Sequence, residues 1–537
     1  MRTLPTIRTL PDLLVAARTE GNRPFLQCPS GGAATAGEFL DRVDSVAAWL
    51  NAQGVRRWDR VGILLPKCRA EAEATFAAAR MGAVFVNLSS KTPVGRAAEI
   101  IVDCGLRHLF TTPKMALELH WAAARTGCRL VVVGPDSGGN ADTTAWDSIP
   151  ASPFVPGPGT TPVDNDLAAI LHTSGSTGRS KGVMISHRNL VDATFRVADY
   201  LRLDRADRIL SVLPLSAPWG VLQLTTALLA GGSVVLQPVA FPVEIARTVR
   251  EQGITGLACM PPTWIPLVEL LVSCGEELPG LRYVTSSGGV IPTRILEAFP
   301  RVFPNAEVFL TYGLTEAFRT TLLPPEWFAR KPGSLGRACP NVDVFVVEAG
   351  RGICGPGERG ELIHRGASVT LGYWNDPEAT AAVYKPCPEL KPHIGDEIVH
   401  HSGDIVEIDA DGFLWFVGRK DSLIKVSGYR VSAEEIELAA TQSGLVLQAV
   451  AFGVADPVLG QAVHLGVEPH PDKAFDPEVL FDHFRGLLAT HMIPRNLSAW
   501  EGPMPRTSTG KIDREAVIRT LASPTASPVQ PVSKSSP

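Results

Sequence analysis

The chain has 537 residues, 45 % hydrophobic and 20 % charged, with a formal net charge of −5. That length excludes one compact core, and two to four structural units are expected; the balance excludes a disordered or fibrous chain. Lys and Arg are spread along the chain rather than clustered, which excludes a nucleic-acid surface. The nine cysteines are widely spaced without any C-x-x-C, so neither a zinc site nor a disulfide framework is expected, and a reducing cytoplasm is the setting implied.

Residues 1–20 carry charge early and lack an apolar h-region, so no secretory signal is expected. The run 61–65 (VGILL) reads as a strand, 70–81 as an Ala-rich helix and 84–88 (VFVNL) as the next strand. Strand-like runs recur at 130–133, 168–172, 209–213, 233–236, 256–260, 283–286 and 308–311. Strands alternating with helices imply parallel sheets covered on both faces. The stretch 134–162, rich in Gly, Pro, Ser, Thr and Asp, reads as a surface connection between two α/β blocks. From Ser211 to Val243 no residue is charged, but Pro214, Pro218, Gly220, Gly231, Gly232 and Pro238 interrupt it. A buried helix and strand are expected there, not a membrane span.

After about residue 340 strands at 342–347, 360–364, 405–408 and 413–417 alternate with Gly-rich turns, as in a small β-rich unit. Beyond Arg419 a helix at 432–441, a strand at 446–454 and a helix at 477–490 suggest a small α+β domain. The expected architecture is α/β: a large N-terminal domain, 1–418, of two parallel-sheet subdomains plus a β-rich one, then a small mobile α+β domain, 419–522. The last residues, 523–537 (SPTASPVQPVSKSSP), cannot bury a core and are expected to be disordered.

Five segments carry chemistry. In 168–183 (AAILHTSGSTGRSKGV) an apolar strand runs into Thr173-Ser174-Gly175-Ser176-Thr177-Gly178, with Lys181 three residues on. Glycines let successive N–H groups face an anion, hydroxyls add donors, and Lys adds a full charge. This is a phosphate cradle, and not the NTPase P-loop, because Arg179 and Ser180 follow Gly178. In 310–317 (LTYGLTEA) Tyr312 suits a purine face, Thr315 a phosphate and Glu316 a Mg²⁺ ion bridging phosphates. His401-Ser402-Gly403-Asp404 reads alone as a turn, whose carboxylate suits ribose hydroxyls. The run 416–431 (FVGRKDSLIKVSGYRV) sets Arg419, Lys420, Asp421 and Lys425 at the domain junction, and 505–514 (PRTSTGKIDR) places Lys511 on a polar loop.

The five segments, in this order and over about 23–514, resemble the adenylate-forming superfamily: acyl-CoA synthetases, nonribosomal peptide synthetase adenylation domains and beetle luciferases. Within it, LPLSAPWGVLQLTTALLAGGSVVL, SSGGVIP, TYGLTEAFR and RGASVTLGYWNDPEAT most resemble the acyl-CoA ligase-like proteins associated with exosortase gene clusters. The resemblance implies an AMP-forming acid–thiol ligase. A carboxylate attacks the α-phosphorus of ATP, pyrophosphate leaves, and the acyl group passes to CoA or to a phosphopantetheine thiol on a separate carrier protein. It implies that Thr173 to Lys181 hold the β/γ-phosphates and that Thr315 touches the α-phosphate. Glu316 would hold Mg²⁺, Tyr312 and Ser287-Gly288-Gly289 would border adenine, and Asp404 and Arg419 would bind ribose. Lys511 would bridge carboxylate and α-phosphate. Asp421 would be the hinge of a domain rotation that withdraws Lys511 and brings in 424–430, with Lys425 and Gly428, for the thiol step. No general base is needed, since a carboxylate is ionised at pH 7.

For the acyl pocket the candidates are Ala217, Trp219, Trp264 and Phe318; Ala217 stands where a His is common in such ligases. No Asp or Glu occurs between Ser211 and Val243 to pair a substrate ammonium in the usual way, which counts against an α-amino acid. His172 and His187 read as structural, and His400-His401 as no metal pair, since adjacent rings point apart. Two other readings stay open: an adenylation enzyme loading an amino or hydroxy acid onto a carrier, and a non-catalytic acyl- or nucleotide-binding protein. No nucleic-acid partner and no membrane span are expected, and a homodimer stays open.

Overall fold

The structure, a computed structural model, describes residues 6–28, 32–135, 143–173, 181–239, 241–420, 422–426, 429–456, 459–507 and 510–522. Within them the strands join into four sheets. The first, of seven strands, is built on Arg60–Leu64 with Val84–Asn87 and His108–Thr111 parallel on either side. Leu167–Thr173 runs parallel beside Val84–Asn87, and Lys181–Ser186 closes that edge antiparallel. The second, of nine strands, has a parallel centre of Ser233–Leu236, Arg208–Ser211, Gly256–Cys259, Tyr283–Ser286 and Glu307–Tyr312. The third is antiparallel and includes Val342–Glu348, Arg359–Gly366, Val399–Ile408 and Leu414–Arg419. The fourth pairs Leu423–Val426, Tyr429–Ser432, Gly460–Pro469 and Val446–Asp456, with Asn496–Ala499 alongside. Two parallel-centred blocks, a β-rich unit and a small α+β unit are therefore present in chain order.

Local chemistry explains the punctuation. Thr9 with Asp12, Thr35 with Glu38 and Ser186 with Asn189 cap their helices reciprocally, each side chain taking the other's backbone N–H. The charge-free stretch supplies the helix Pro218–Ala230, which starts on a proline, and the strand Ser233–Leu236. That helix is apolar on every side, and Val221, Leu222, Leu224 and Leu228 are each at most 2 % exposed. Burying each such side chain contributes about 1.5–3 kcal/mol, which places this helix in the core. No helix among the described residues is long and apolar enough to cross a membrane.

Two features depart from the sequence reading. The 134–162 stretch is more than a surface connection: Thr143–Ala145 adds an edge strand to the first sheet, and Trp146 and Phe154 are buried. Trp146 packs edge-on against Phe110 at 5.8 Å, so an aromatic in a polar stretch found a sheet edge to cover. The strand Pro24–Gln27, which pairs antiparallel with the nearby Ala33–Thr35, also runs parallel to the distant Ser233–Leu236 and extends the second sheet.

His108, His187, His364 and His400 are at most 2 % exposed. Burial pushes His108 and His187 down to about 4, His400 to about 3, and His364 well below the ordinary histidine range. The unfolded chain takes up protons near pH 6.5 that the folded chain refuses. Stability is therefore present above that pH and falls as the pH drops through 6.5 toward 4. Each histidine contributes a loss of up to about 1.4 kcal/mol per pH unit in that window. Thermal melts over this range are expected to show Tm falling steeply; a Tm unchanged down to about pH 5 contradicts the assignment.

Candidate active site

The strands on either side of the phosphate-suited run pair antiparallel. Thr173 and Lys181 are cross-strand partners where Leu167–Thr173 and Lys181–Ser186 pair. Ser174, Gly175, Ser176, Thr177 and Gly178 lie outside the described residues. Gly182 sits where any side chain collides: a Cβ there would lie 2.7 Å from Ile170 Cγ2. The segment around Tyr373 adds to the free edge of Lys181–Ser186, with Met184 N donating to the Gly372 carbonyl and Leu371 N to the Met184 carbonyl, both at 2.9 Å. Tyr373 is thereby placed under Lys181, whose ammonium stands 4.9 Å from the ring centroid.

The same tyrosine holds Glu316. Its hydroxyl donates to Glu316 Oε1 at 2.8 Å, and Thr370 N donates to the Glu316 carbonyl at 2.9 Å. Glu316 and Thr315 are half-buried on the tight return after Glu307–Tyr312, closed by Thr320 N to the Tyr312 carbonyl at 3.0 Å. No helix starts there; the chain turns back into the antiparallel strand Thr321–Leu323.

The Ser402-Gly403-Asp404 run, read alone as a turn, is instead a bulge inside the strand Val399–Ile408. Gly403 takes φ +70°, and the register against Arg359–Gly366 shifts beside it. A residue without Cβ permits this conformation, and the bulge re-aims the next side chain. Asp404 then receives Arg419 Nη1 on Oδ1 at 2.8 Å and the Tyr312 hydroxyl on Oδ2. Burial and the neighbouring Asp404 push the Tyr312 phenol well above its ordinary range, so it stays a donor. A column of rings links the two carboxylates: Tyr312 stacks on His364 at 6.0 Å, His364 lies 5.9 Å from His400, His400 4.9 Å from Tyr384, and Tyr384 6.0 Å from Tyr373.

Lys511 reaches this cleft from the other end of the chain. Its loop is closed by Thr507 N to the Lys511 carbonyl at 2.7 Å. The side chain keeps exposed surface, yet surrounding protein lowers its ammonium below the usual lysine range; Asp404 and Glu316 raise it and Arg419 lowers it. Lys511, Asp404, Arg419 and Glu316 thus act on one another across one site.

A family model described as AMP-binding enzyme matches residues 14–374, and its C-terminal-domain counterpart matches 435–511. The chain belongs to the AMP-binding enzyme family. It is 32 % identical over 495 residues to the L-proline–[L-prolyl-carrier protein] ligase of Streptomyces coelicolor, covering 89 % of this chain and 90 % of that one. It is 30 % identical over 493 residues to a feruloyl-CoA synthase of Amycolatopsis, covering 91 % and 94 %. It spans only 6 % and 40 % of two other curated relatives. Its fold matches ATP-bound MatB from Rhodopseudomonas palustris with a TM-score of 0.84 at 24 % identity, covering 96 % of this chain and 99 % of that one.

The residues read as acyl-pocket candidates in this AMP-binding enzyme fall in two different places. Trp219 opens the helix Pro218–Ala230 behind Ala217 and faces the Arg319 guanidinium, 4.1 Å from its ring centroid. Phe318 is buried beside it in sequence, in the core under that helix. Trp264 is withdrawn from the pocket set: it is fully buried between Phe299 and Phe303, at 5.2 and 5.5 Å, in the core on the other face of the second sheet. Its helix turns the ring inward, which an apolar sequence context cannot reveal. Ser287, Gly288 and Gly289 follow the end of Tyr283–Ser286, with Gly289 and Gly288 exposed. Asp421 and Gly428 lie outside the described residues, as does the side chain of Lys425, whose backbone pairs with Arg430. Sequence reasoning missed Tyr373 and Arg319, although both stand inside quoted motifs, GYWND and TEAFR.

Proposed function

We propose that this protein activates a carboxylic acid with ATP as an acyl-adenylate, releasing pyrophosphate, and then transfers the acyl group to a thiol. The observation that carries the reading is the convergence of Lys181, Glu316, Tyr312, Asp404, Arg419 and Lys511, drawn from five segments of the sequence, on one site. In this reading Thr173 to Lys181 hold the β/γ-phosphates, and Thr315 contacts the α-phosphate. Tyr312 and Ser287-Gly288-Gly289 border adenine. Asp404 receives the ribose hydroxyls, while Arg419 and Tyr312 keep the carboxylate aimed. Lys511 brings the acid carboxylate against the α-phosphorus and stabilises the charge that grows there. These cationic groups neutralise a polyanion that would otherwise repel an incoming carboxylate.

Glu316 suits Mg²⁺: one oxygen is held by Tyr373, and no Lys or Arg pairs with it among the described residues. The ion would neutralise phosphate charge when bound. For the second step, residues 419–522 rotate about Asp421 as a unit against 1–418, withdrawing Lys511 and presenting 424–430, with Lys425 and Gly428. The thiol is CoA or the phosphopantetheine of a separate carrier protein; relatives of both kinds, covered at nine-tenths of their length, support this pairing. Supply of ATP and thiol places the reaction in the cytoplasm.

ATP–pyrophosphate exchange across fatty, aromatic, hydroxy, amino and dicarboxylic acids tests the reading. Exchange with one acid class is expected, with AMP release rising when CoA or a phosphopantetheine thiol is added. Production of ADP, or tight ATP binding without exchange for any acid, overturns it.

A further inference from the structure

A guanidinium with no counter-ion among the described residues is buried beside Trp219. Arg319 is 4 % exposed and sits three residues past Glu316. Its φ of +58° is unusual for a residue with a Cβ, and Arg196 Nη1 holds that backbone by donating to the Arg319 carbonyl. Arg196 is itself satisfied, by Asp192 at 2.7 Å and Ser368 Oγ at 3.0 Å. Arg319 is not. Nη1 donates to Thr311 Oγ1, the planar group lies over Trp219, and Nη2 has no partner. Tyr200, Cys339 and Arg196 are the charged or ionisable groups that act on it. Burial raises the first two, so they are neutral near pH 7, and the third repels.

Two further polar atoms on the same face of the sheet have no partner, Thr285 Oγ1 and the Tyr200 hydroxyl. Thr285 is the register partner of Phe309, Tyr200 packs on Phe309 at 6.0 Å, and Thr311 follows two residues along that strand. Alternation along a strand therefore puts all of these on one side. Two unsatisfied hydroxyls, each able to donate, therefore share one sheet face with a buried positive charge whose own Nη2 is unsatisfied. A buried unpaired charge is strongly unfavourable, and one hydrogen bond and a ring face offset only part of that. The missing partner is an acceptor carrying negative charge, and the guanidinium fork matches a carboxylate.

We propose that Arg319 is a specificity-determining residue, and that the acid activated here carries a second carboxylate at its far end, received by Arg319 with Tyr200 and Thr285. This rests on the acid-activating reading above. Matched acids that differ only at the distal end test it: glutarate against pentanoate, adipate against hexanoate, and benzene-1,4-dicarboxylate against 4-methylbenzoate. They are compared on the wild type, Arg319→Met and Arg319→Lys. In pyrophosphate release the wild type is expected to favour one diacid by roughly 10²-fold or more in kcat/KM, because a site with unpaired donors rejects an analogue lacking the acceptor. Arg319→Met is expected to lose that preference with an unchanged KM for ATP, and Arg319→Lys to retain part of it. A second readout needs no turnover: the diacid raises the Tm of the wild type but not of Arg319→Met. Unliganded Arg319→Met is expected to melt no lower than the wild type, since it loses an uncompensated charge. A wild type that prefers the monoacid of every pair, or an Arg319→Met that keeps the diacid preference or the Tm shift, overturns the proposal. If no acid is activated, the ligase reading falls, and the Tm shift with its dependence on Arg319 still decides this one.

Discussion

Lys511→Ala is expected to lower acid-dependent ATP–pyrophosphate exchange by roughly 10²–10³-fold, the scale of removing one preorganised charge-stabilising donor. Acyl transfer from a chemically supplied acyl-adenylate to the thiol is expected to continue near the wild-type rate. The split follows from placement. The Lys511 ammonium is coupled to Asp404, Glu316 and Arg419, the groups proposed to serve the ribose and Mg²⁺, but it comes from a loop in the small C-terminal unit. Under the proposed rotation, a group delivered by that unit serves the step for which the unit is docked. Its lowered pKa has a consequence with a definite sign. The ammonium loses its proton earlier than an ordinary lysine as pH rises, so exchange is expected to decline on the alkaline side below the usual lysine range. Full exchange in Lys511→Ala, or equal damage to both half-reactions, removes Lys511 from the adenylation step.

The second large effect is expected from Glu316→Gln. The amide oxygen still accepts from the Tyr373 hydroxyl, so the ring column and the strand edge it braces keep their geometry. The charge alone is lost. The substitution is close to isosteric and the site is half-buried, so stability is expected to change by only about 0.5 kcal/mol. The Mg²⁺ concentration giving half-maximal exchange, measured at fixed ATP, is expected to rise at least roughly tenfold. An unchanged Mg²⁺ dependence assigns Glu316 to positioning Tyr373 and Lys181 rather than to the metal.

Tyr373 shows where sequence reasoning stopped. Residues 168–183 announce a phosphate site because the strand, the Gly/Ser/Thr run and Lys181 are contiguous, so one window contains the chemistry. Glu316 is legible in the same way. Tyr373, which holds Glu316 and underlies Lys181, lies 57 residues from the one, and no local pattern connects them. Asp404 was read as a ribose-suited carboxylate on a turn and not as the product of a bulge, because a positive φ at Gly403 follows from strand pairing with Arg359–Gly366. Trp264 was read as a pocket candidate because an apolar aromatic near a motif looks like a pocket wall, and its helix turns it into the core instead. Arg319 was passed over, since nothing local marks a charged residue as buried.

The sequence by itself determined the fold class, the order of the sheet-forming blocks, the ATP-suited segments and the family, because periodicity, turn residues and phosphate-binding loops are written in short contiguous windows. Only the tertiary structure decided which side chains meet: the ring column between Asp404 and Glu316, the docking of Lys511, the burial of Trp264 and the unpaired charge of Arg319. Those depend on contacts between residues far apart in the chain and on which face of an element turns inward, and both are settled by packing.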